Sequence, residues 1–359
     1  MDAAALDEVD LHASEPGDWV SAFAVFKAGT LRTVQGAKPL RSARAASPGL
    51  RRAAEAALAV EARGDDDAKG FFCRHFRPFR LTPPDGFLTG YYEPIIEGSR
   101  NPQPGFEAPI FARPPDLVTL TPGEAQDFDP SLAAARRRAD GRLEPYPDRA
   151  AIEETGGTAI VFVRDAVEAF FAQVQGSARV HLRDGRQVRL VYDGRNGLPY
   201  TSIGRLLIER GEIAEKDMSL ATLKAWLRAA GLKPGERGSE ILRKNRSFVF
   251  FRIDEALDPA LGPIGGAGRP LTALRSIAVD RRFWSYGLPF FIASTIPWRS
   301  AAPERFARPL IAEDTGSAIV GRARADLFFG AGDEAGARAG DIRHAAAFTV
   351  LLPVGEEPA

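Results

Sequence analysis

The chain has 359 residues, 45% hydrophobic and 26% charged, with 47 Lys plus Arg against 47 Asp plus Glu. This is a globular profile long enough for about two domains, with no net field to draw nucleic acid or an anionic membrane. A single cysteine, Cys73, excludes an internal disulfide and a cysteine-based metal site, and the scattered His12, His75, His181 and His344 form no ligand motif.

Helical signals run to about residue 85. Ser47-Pro48 supplies a cap and a first-turn proline, and Leu50, Ala53, Ala54, Ala57 and Leu58 recur at helical spacing. Cys73, between Phe72 and Arg74, reads as a small core residue. The segment from Phe87 to Ile96 reads as a strand broken at Gly90 and Pro94. Residues 100–150 are rich in Pro, Arg and Asp and read as long surface connections, with Arg136–Arg138 a solvated helix face.

Thr158–Val163 is a buried-type strand. Val167, Phe170, Phe171 and Val174 follow at amphipathic helical spacing. Val180 and Leu182 then alternate with polar residues, Asp184-Gly185 predicts a type I′ turn, and Val188 and Leu190 alternate on the return. Helices are expected at 202–210 and 219–230, ended by Gly211 and Gly231. From Ser239 the chain runs through Asn245 into a strand near Arg252. Short strands at 276–280, 288–294, 318–322, 325–329 and 346–352, joined by Gly/Pro turns, suggest a barrel. The hairpin-and-helices block in mid-chain reads as a distinct unit.

One side chain stands out. Asp326 lies in a strand, Arg324 to Phe329, among apolar neighbours, with a glycine-rich turn from Gly330 towards Gly340 after it. A carboxyl held there is partly desolvated, which raises its pKa and makes it a candidate proton donor near neutral pH. Asp280 and Asp314 occupy similar strand-end settings. The structural alternative for all three is turn capping.

Phe87-Leu-Thr-Gly-Tyr-Tyr-Glu-Pro94, Val174-Gln-Gly-Ser177, Tyr200-Thr-Ser-Ile-Gly-Arg205 with Leu207-Ile-Glu-Arg-Gly211, and Asn245-Arg-Ser-Phe-Val-Phe-Phe251 together resemble the membrane-bound lytic murein transglycosylase A family. The stretch from Asp280 through Asp314-Thr-Gly-Ser-Ala-Ile-Val-Gly321 to Gly340 is similar to that family's three-aspartate domain. The resemblance covers about residue 75 to the end. It implies a mainly β, α+β fold: a double-psi β-barrel domain (1–108 and 243–359) with a second, mostly β, barrel-like domain inserted (109–242) and a substrate cleft between them.

It further implies cleavage of the β-1,4 bond between N-acetylmuramic acid and N-acetylglucosamine in peptidoglycan, leaving 1,6-anhydromuramoyl ends, without metal or cofactor. Asp326 would act as acid and then base. Asp280 and Asp314 would support it, or else cap turns. Thr89, Tyr91, Tyr92, Gln175, Ser177, Asn245 and Ser247 would contact the sugar. Peptidoglycan strands are the implied partner, with other cell-wall enzymes as candidate partners, no nucleic acid and a monomeric state.

Two features depart from the family pattern: Ser317 replaces a common glycine, and Phe283-Trp-Ser-Tyr286 replaces a proline-containing turn. Two rival readings are a non-catalytic cell-wall carbohydrate-binding protein and, from Asp314-Thr-Gly-Ser317, an aspartic-protease-like enzyme. Peptidoglycan lies outside the cytoplasmic membrane, so the implied place of action is the periplasm or the periplasmic face of the outer membrane. The acidic start, Met1-Asp-Ala-Ala-Ala, has no basic and apolar leader. The expectation is an export segment upstream of residue 1, with the stretch to about residue 15 a mature end or linker.

Overall fold

The computed structural model describes residues 18–81, 86–256 and 258–356. His12 and the acidic start lie outside them. The chain divides into two units: one takes the N-terminal part to Tyr92, Ala260–Gly330 and the chain from Glu334 onward, the other Glu93–Pro259 with Ala331–Asp333.

In the first unit, Ser47 caps the helix Pro48–Leu58 by accepting from the Leu50 N–H at 3.1 Å. The helices Asp18–Val34 and Asp65–His75 carry Phe23, Phe26, Phe71 and Phe72 into one aromatic cluster, where Phe23 and Phe71 meet edge-on at 4.9 Å. Cys73 is exposed, not a core residue. On a helix whose buried face is set by Phe71 and Phe72, the next position turns outward.

The strands Gly86–Glu93, Ser276–Val279, Pro289–Ile296, Glu304–Asp314, Arg324–Ala331 and Arg343–Pro353 close a six-stranded barrel. Closure comes from Arg343–Pro353, which pairs antiparallel with both Pro289–Ile296 and Gly86–Glu93. One pair is parallel, Ser276–Val279 with Glu304–Asp314. Leu88, Ile277, Phe290, Phe306, Leu310 and Phe348 fill the buried positions.

Three expectations change here. The strand beginning at Gly86 passes through Gly90 and ends only before Pro94. Residues 318–322 form turns, and the sixth strand is Glu304–Asp314, where Arg305, Arg308 and Pro309 mask the apolar pattern. The glycine-rich stretch after Asp326 is a helix, Gly332–Asp341. Gly336 sits there because a Cβ would come within 2.7 Å of the Tyr92 ring.

The second unit is built on a six-stranded sheet ordered Val249–Asp254, Gln187–Arg195, Ser177–Leu182, Ile95–Ser99, Ala159–Val163, Ala108–Phe111. A bridge between Ala112 and Phe251 links its two edges. The expected boundaries, 109 and 242, fall inside this unit. Ile95–Ser99 pairs parallel with Ser177–Leu182, and Val249–Asp254 pairs with Gln187–Arg195, so both flanks belong to its sheet. Glu93, fully buried, is held by Arg189 at 2.6 Å and Arg179 at 2.7 Å.

Residues 100–150 are not mere connections. They hold a three-stranded sheet, Leu117–Thr119, Ala134–Arg137 and Leu143–Pro145, and a helix, Pro122–Phe128, with a Thr121/Glu124 capping box. Arg136 is on a strand, its Nε 3.0 Å from Asp116 Oδ2. The hairpin turn carries positive φ at Gly185 (85°) and not at Asp184. The Gly185 N–H bonds back to the Leu182 carbonyl at 2.9 Å. That is a type I turn followed by a left-handed glycine in place of type I′.

The helices Ala166–Gln175, Ile203–Glu209, Leu220–Ala229 and the unforeseen Arg237–Lys244 share a core of Val167, Phe170, Leu207, Leu227 and Ile241. Val174 stays exposed. Among the described residues no helix is long and apolar enough to cross a membrane.

Candidate active site

Side chains alternate along a strand, so Asp326 shares a face with Arg324 while Ala325 and Leu327 point to the core. Asp326 lies opposite Ala278 of the Ser276–Val279 strand. On its other side runs Gly86–Glu93, which brings Thr89 to it. The Thr89 hydroxyl donates to Asp326 Oδ1 at 2.6 Å, and Arg324 Nη2 donates to that hydroxyl at 2.8 Å. Tyr91 and Phe328 pack with ring centroids 5.3 Å apart.

Burial pushes the Asp326 carboxyl up to about 6. The Arg324 cation and the Thr89 hydrogen bond oppose that rise, and the Asp314 charge adds to it. A group so poised is protonated often enough near neutral pH to serve as an acid, and ionises readily enough to serve as a base.

Asp314 is buried at the end of its strand. Its Oδ1 accepts from the Gly266 N–H at 2.7 Å and lies 3.6 Å from Arg41 Nη1, and its Oδ2 accepts from the Tyr91 hydroxyl at 3.1 Å. Burial, then the charges of Asp314 and Asp326, push the Tyr91 hydroxyl well above its ordinary value. Asp280 is a turn holder. It accepts from Arg282 Nη2 at 2.7 Å, the Arg282 N–H at 3.1 Å and the Gly321 N–H at 2.8 Å. Burial alone would raise its pKa, but these bonds together bring it below the ordinary carboxylate value.

Thr89 and Tyr91 therefore meet Asp326 and Asp314. The rings of Tyr91 and Tyr92, expected to contact the sugar, are both buried, Tyr91 against Phe328 and Tyr92 beside Gly336. What Tyr91 presents to the site is its hydroxyl. Ser317 is exposed and has no left-handed backbone, which is why a side chain is accommodated there.

Gln175, Ser177, Asn245 and Ser247 belong to the second unit. Asn245 Oδ1 accepts from the Thr201 N–H at 3.1 Å and the Ser247 N–H at 3.3 Å. Among the described residues, Asn245 Nδ2 and the Ser177 and Ser247 hydroxyls have no hydrogen-bond partner, and none of these atoms is sealed from solvent. The loop is held from below by Arg149, 3% exposed, which donates to the Asn245 carbonyl at 2.9 Å, the Ser247 carbonyl at 2.7 Å and Gln173 Oε1 at 2.6 Å.

Sequence reasoning missed Arg324, Arg41 and Arg149. Only Arg324 had a local signal, its two-residue spacing from Asp326 on a strand.

Two family models match the chain: the MltA specific insert domain at residues 87–252 and the 3D domain at residues 275–352. The membrane-bound lytic murein transglycosylase A of Vibrio cholerae is 31% identical over 266 residues, which cover 72% of this chain and 62% of that protein. The match thus spans less than two thirds of that relative's length. The crystal structure of a membrane-bound lytic murein transglycosylase from Agrobacterium tumefaciens superposes with a TM-score of 0.83 at 36% identity, over 97% of this chain and 98% of the other. MltA from Neisseria gonorrhoeae gives 0.70 at 28% identity, over 95% and 88%.

Proposed function

The chain belongs to the membrane-bound lytic murein transglycosylase A family, and we propose that it cleaves the β-1,4 bond between N-acetylmuramic acid and N-acetylglucosamine in peptidoglycan, leaving 1,6-anhydromuramoyl ends. The observation that carries this reading is the Asp326 carboxyl, pushed up to about 6 with Oδ1 held by Thr89. Protonated Asp326 gives its proton to the glycosidic oxygen as the bond to C1 breaks. The resulting carboxylate takes the proton of the muramoyl C6 hydroxyl as that oxygen bonds to C1. Because this nucleophile belongs to the same sugar, it acts with a large effective molarity. Water must be excluded, or hydrolysis competes.

Asp314 supports Asp326 through its charge, and Asp280 supports the turn between Asp314 and Asp326. The commitments of Asp314 to Tyr91, Gly266 and Arg41 favour this supporting role over a proton-sharing protease dyad. In the second unit, Asn245 Nδ2 and the Ser177 and Ser247 hydroxyls suit the N-acetyl and hydroxyl groups of a glycan, with Gln175 beside them in sequence. The place of action on this reading is the periplasm or the periplasmic face of the outer membrane.

The test is incubation with purified peptidoglycan and mass spectrometry of the products. Anhydro-muropeptides are expected from the wild type, with a loss of about 10²–10⁴-fold or more in Asp326→Asn. Reducing-end muropeptides, no release at all, or an active Asp326→Asn overturns the proposal.

A further inference from the structure

Thr89 is a hydroxyl with one proton to give. It gives that proton to Asp326 Oδ1, and it can do so in only one orientation while it accepts from Arg324 Nη2. Arg324 is itself fixed. Its Nη1 donates to the Ala325 carbonyl, and its guanidinium lies over the Phe87 ring with 5.4 Å to the centroid. Asp326 Oδ2 accepts no hydrogen bond from the described residues and is not sealed from solvent.

We propose that Arg324 is the positioning residue of this site. Through the Thr89 hydroxyl it pins one oxygen of Asp326 and leaves the other to the substrate, and its cation favours the carboxylate that proton donation creates. The inference rests on Asp326 being the acid–base group, and it names the group that governs Asp326.

Among the described residues the other charged or titratable groups acting on Asp326 are few. Asp314 faces it from the end of the Glu304–Asp314 strand and raises its pKa, while Tyr91 faces it from the Gly86–Glu93 strand. The Ser276–Val279 strand presents Ala278, and Asp280 beyond it is engaged by Arg282 and Gly321. Arg324 is the cation in this set, and with the Thr89 bond it opposes the rise that burial causes.

The readout is the titration of the Asp326 side-chain carbon by NMR in protein carrying ¹³C-labelled aspartate, assigned by the signal lost in Asp326→Asn. This needs no turnover. Arg324→Gln is expected to move the midpoint up by about one pH unit. Thr89→Val is expected to move it in the same direction, and the double variant by less than the sum, because the two groups act in one chain. Arg324→Lys keeps the charge and should leave the midpoint near wild type. Its single ammonium cannot reproduce the fork, so its rate of anhydro-product release should still fall.

The alkaline limb of the kcat/KM profile should follow the midpoint in each variant. A midpoint in Arg324→Gln or Thr89→Val that superposes on wild type overturns the inference. Should Arg324→Gln fold poorly, Thr89→Val and Arg324→Lys decide it. Absence of anhydro products from the wild type would sink the proposed reaction, while the titration would still decide the role of Arg324.

Discussion

Asp326 is held in a state that costs stability. Its folded pKa, about 6, is above the ordinary carboxylate value near 3.9. The folded chain therefore keeps this proton longer than the unfolded chain does. The stability linked to it is fully present below about pH 4 and is lost as pH rises through about 6, a loss on the order of 3 kcal/mol. Asparagine cannot ionise, and its side-chain oxygen can still accept from Thr89. Asp326→Asn should thus melt higher than wild type at pH 8, with the gap closing towards pH 4.5. Thermal melts at the two pH values check this, and parallel curves with no pH-dependent gap would show that burial does not govern this carboxyl. The same substitution is expected to abolish lysis, so the residue trades stability for chemistry.

The helix Gly332–Asp341 shows how an element can hide in its own composition. Alanine at Gly336 would raise helix propensity by up to about 1 kcal/mol. A Cβ there would nevertheless approach the Tyr92 ring within 2.7 Å, and Tyr92 is buried, 4% exposed. Overpacking of this kind costs about 1–3 kcal/mol, so Gly336→Ala should destabilise. A lower denaturant midpoint with an unchanged slope is the expected result, and a more stable variant would show that the ring yields.

The same contact explains why the sequence of this helix looks like a turn: glycines required by packing resemble turn glycines. Strand Glu304–Asp314 is masked in the sequence by Arg305, by Arg308, which turns inward to Asp18, and by Pro309. By contrast the Asp184-Gly185 hairpin, the Ser47-Pro48 cap and the helices ended by Gly211 and Gly231 were legible, because local chemistry decides them. Asp326 was legible through its apolar strand. Thr89 and Tyr91 were named from the family pattern as sugar contacts, and only the barrel pairing shows their hydroxyls bonded to the two aspartates. Arg41 was invisible, because it lies 273 residues from Asp314 along the chain and only the fold joins them.

The first unit depends on joining distant parts of the chain, and its N-terminal helices are where that dependence can be measured. Asp18, fully buried at the start of its helix, receives Arg275 Nη2 at 2.5 Å and Arg308 Nε at 2.8 Å, from beside and within barrel strands. Arg308 also lies over the Trp298 ring, 4.6 Å from its centroid, and Trp19 stacks on Phe291 at 6.1 Å. Helix and barrel thus share one charged cluster and one aromatic layer.

Removing the aspartate leaves two guanidinium groups with little access to water and without the carboxylate they share, and breaking a buried pair in this way costs about 3–5 kcal/mol. Asp18→Asn should cost less, since its amide oxygen still accepts, although the charge is gone. The expected order of denaturant midpoints is wild type, Asp18→Asn, Asp18→Ala. Loss of the Arg41–Asp314 pairing should accompany the larger change, because the segment carrying Arg41 follows the Asp18–Val34 helix and donates through the Arg41 N–H to the Gly266 carbonyl at 3.0 Å. Chemical denaturation of the three proteins decides the matter. An Asp18→Ala chain as stable as wild type would show that the N-terminal helices are held by their aromatic layer alone.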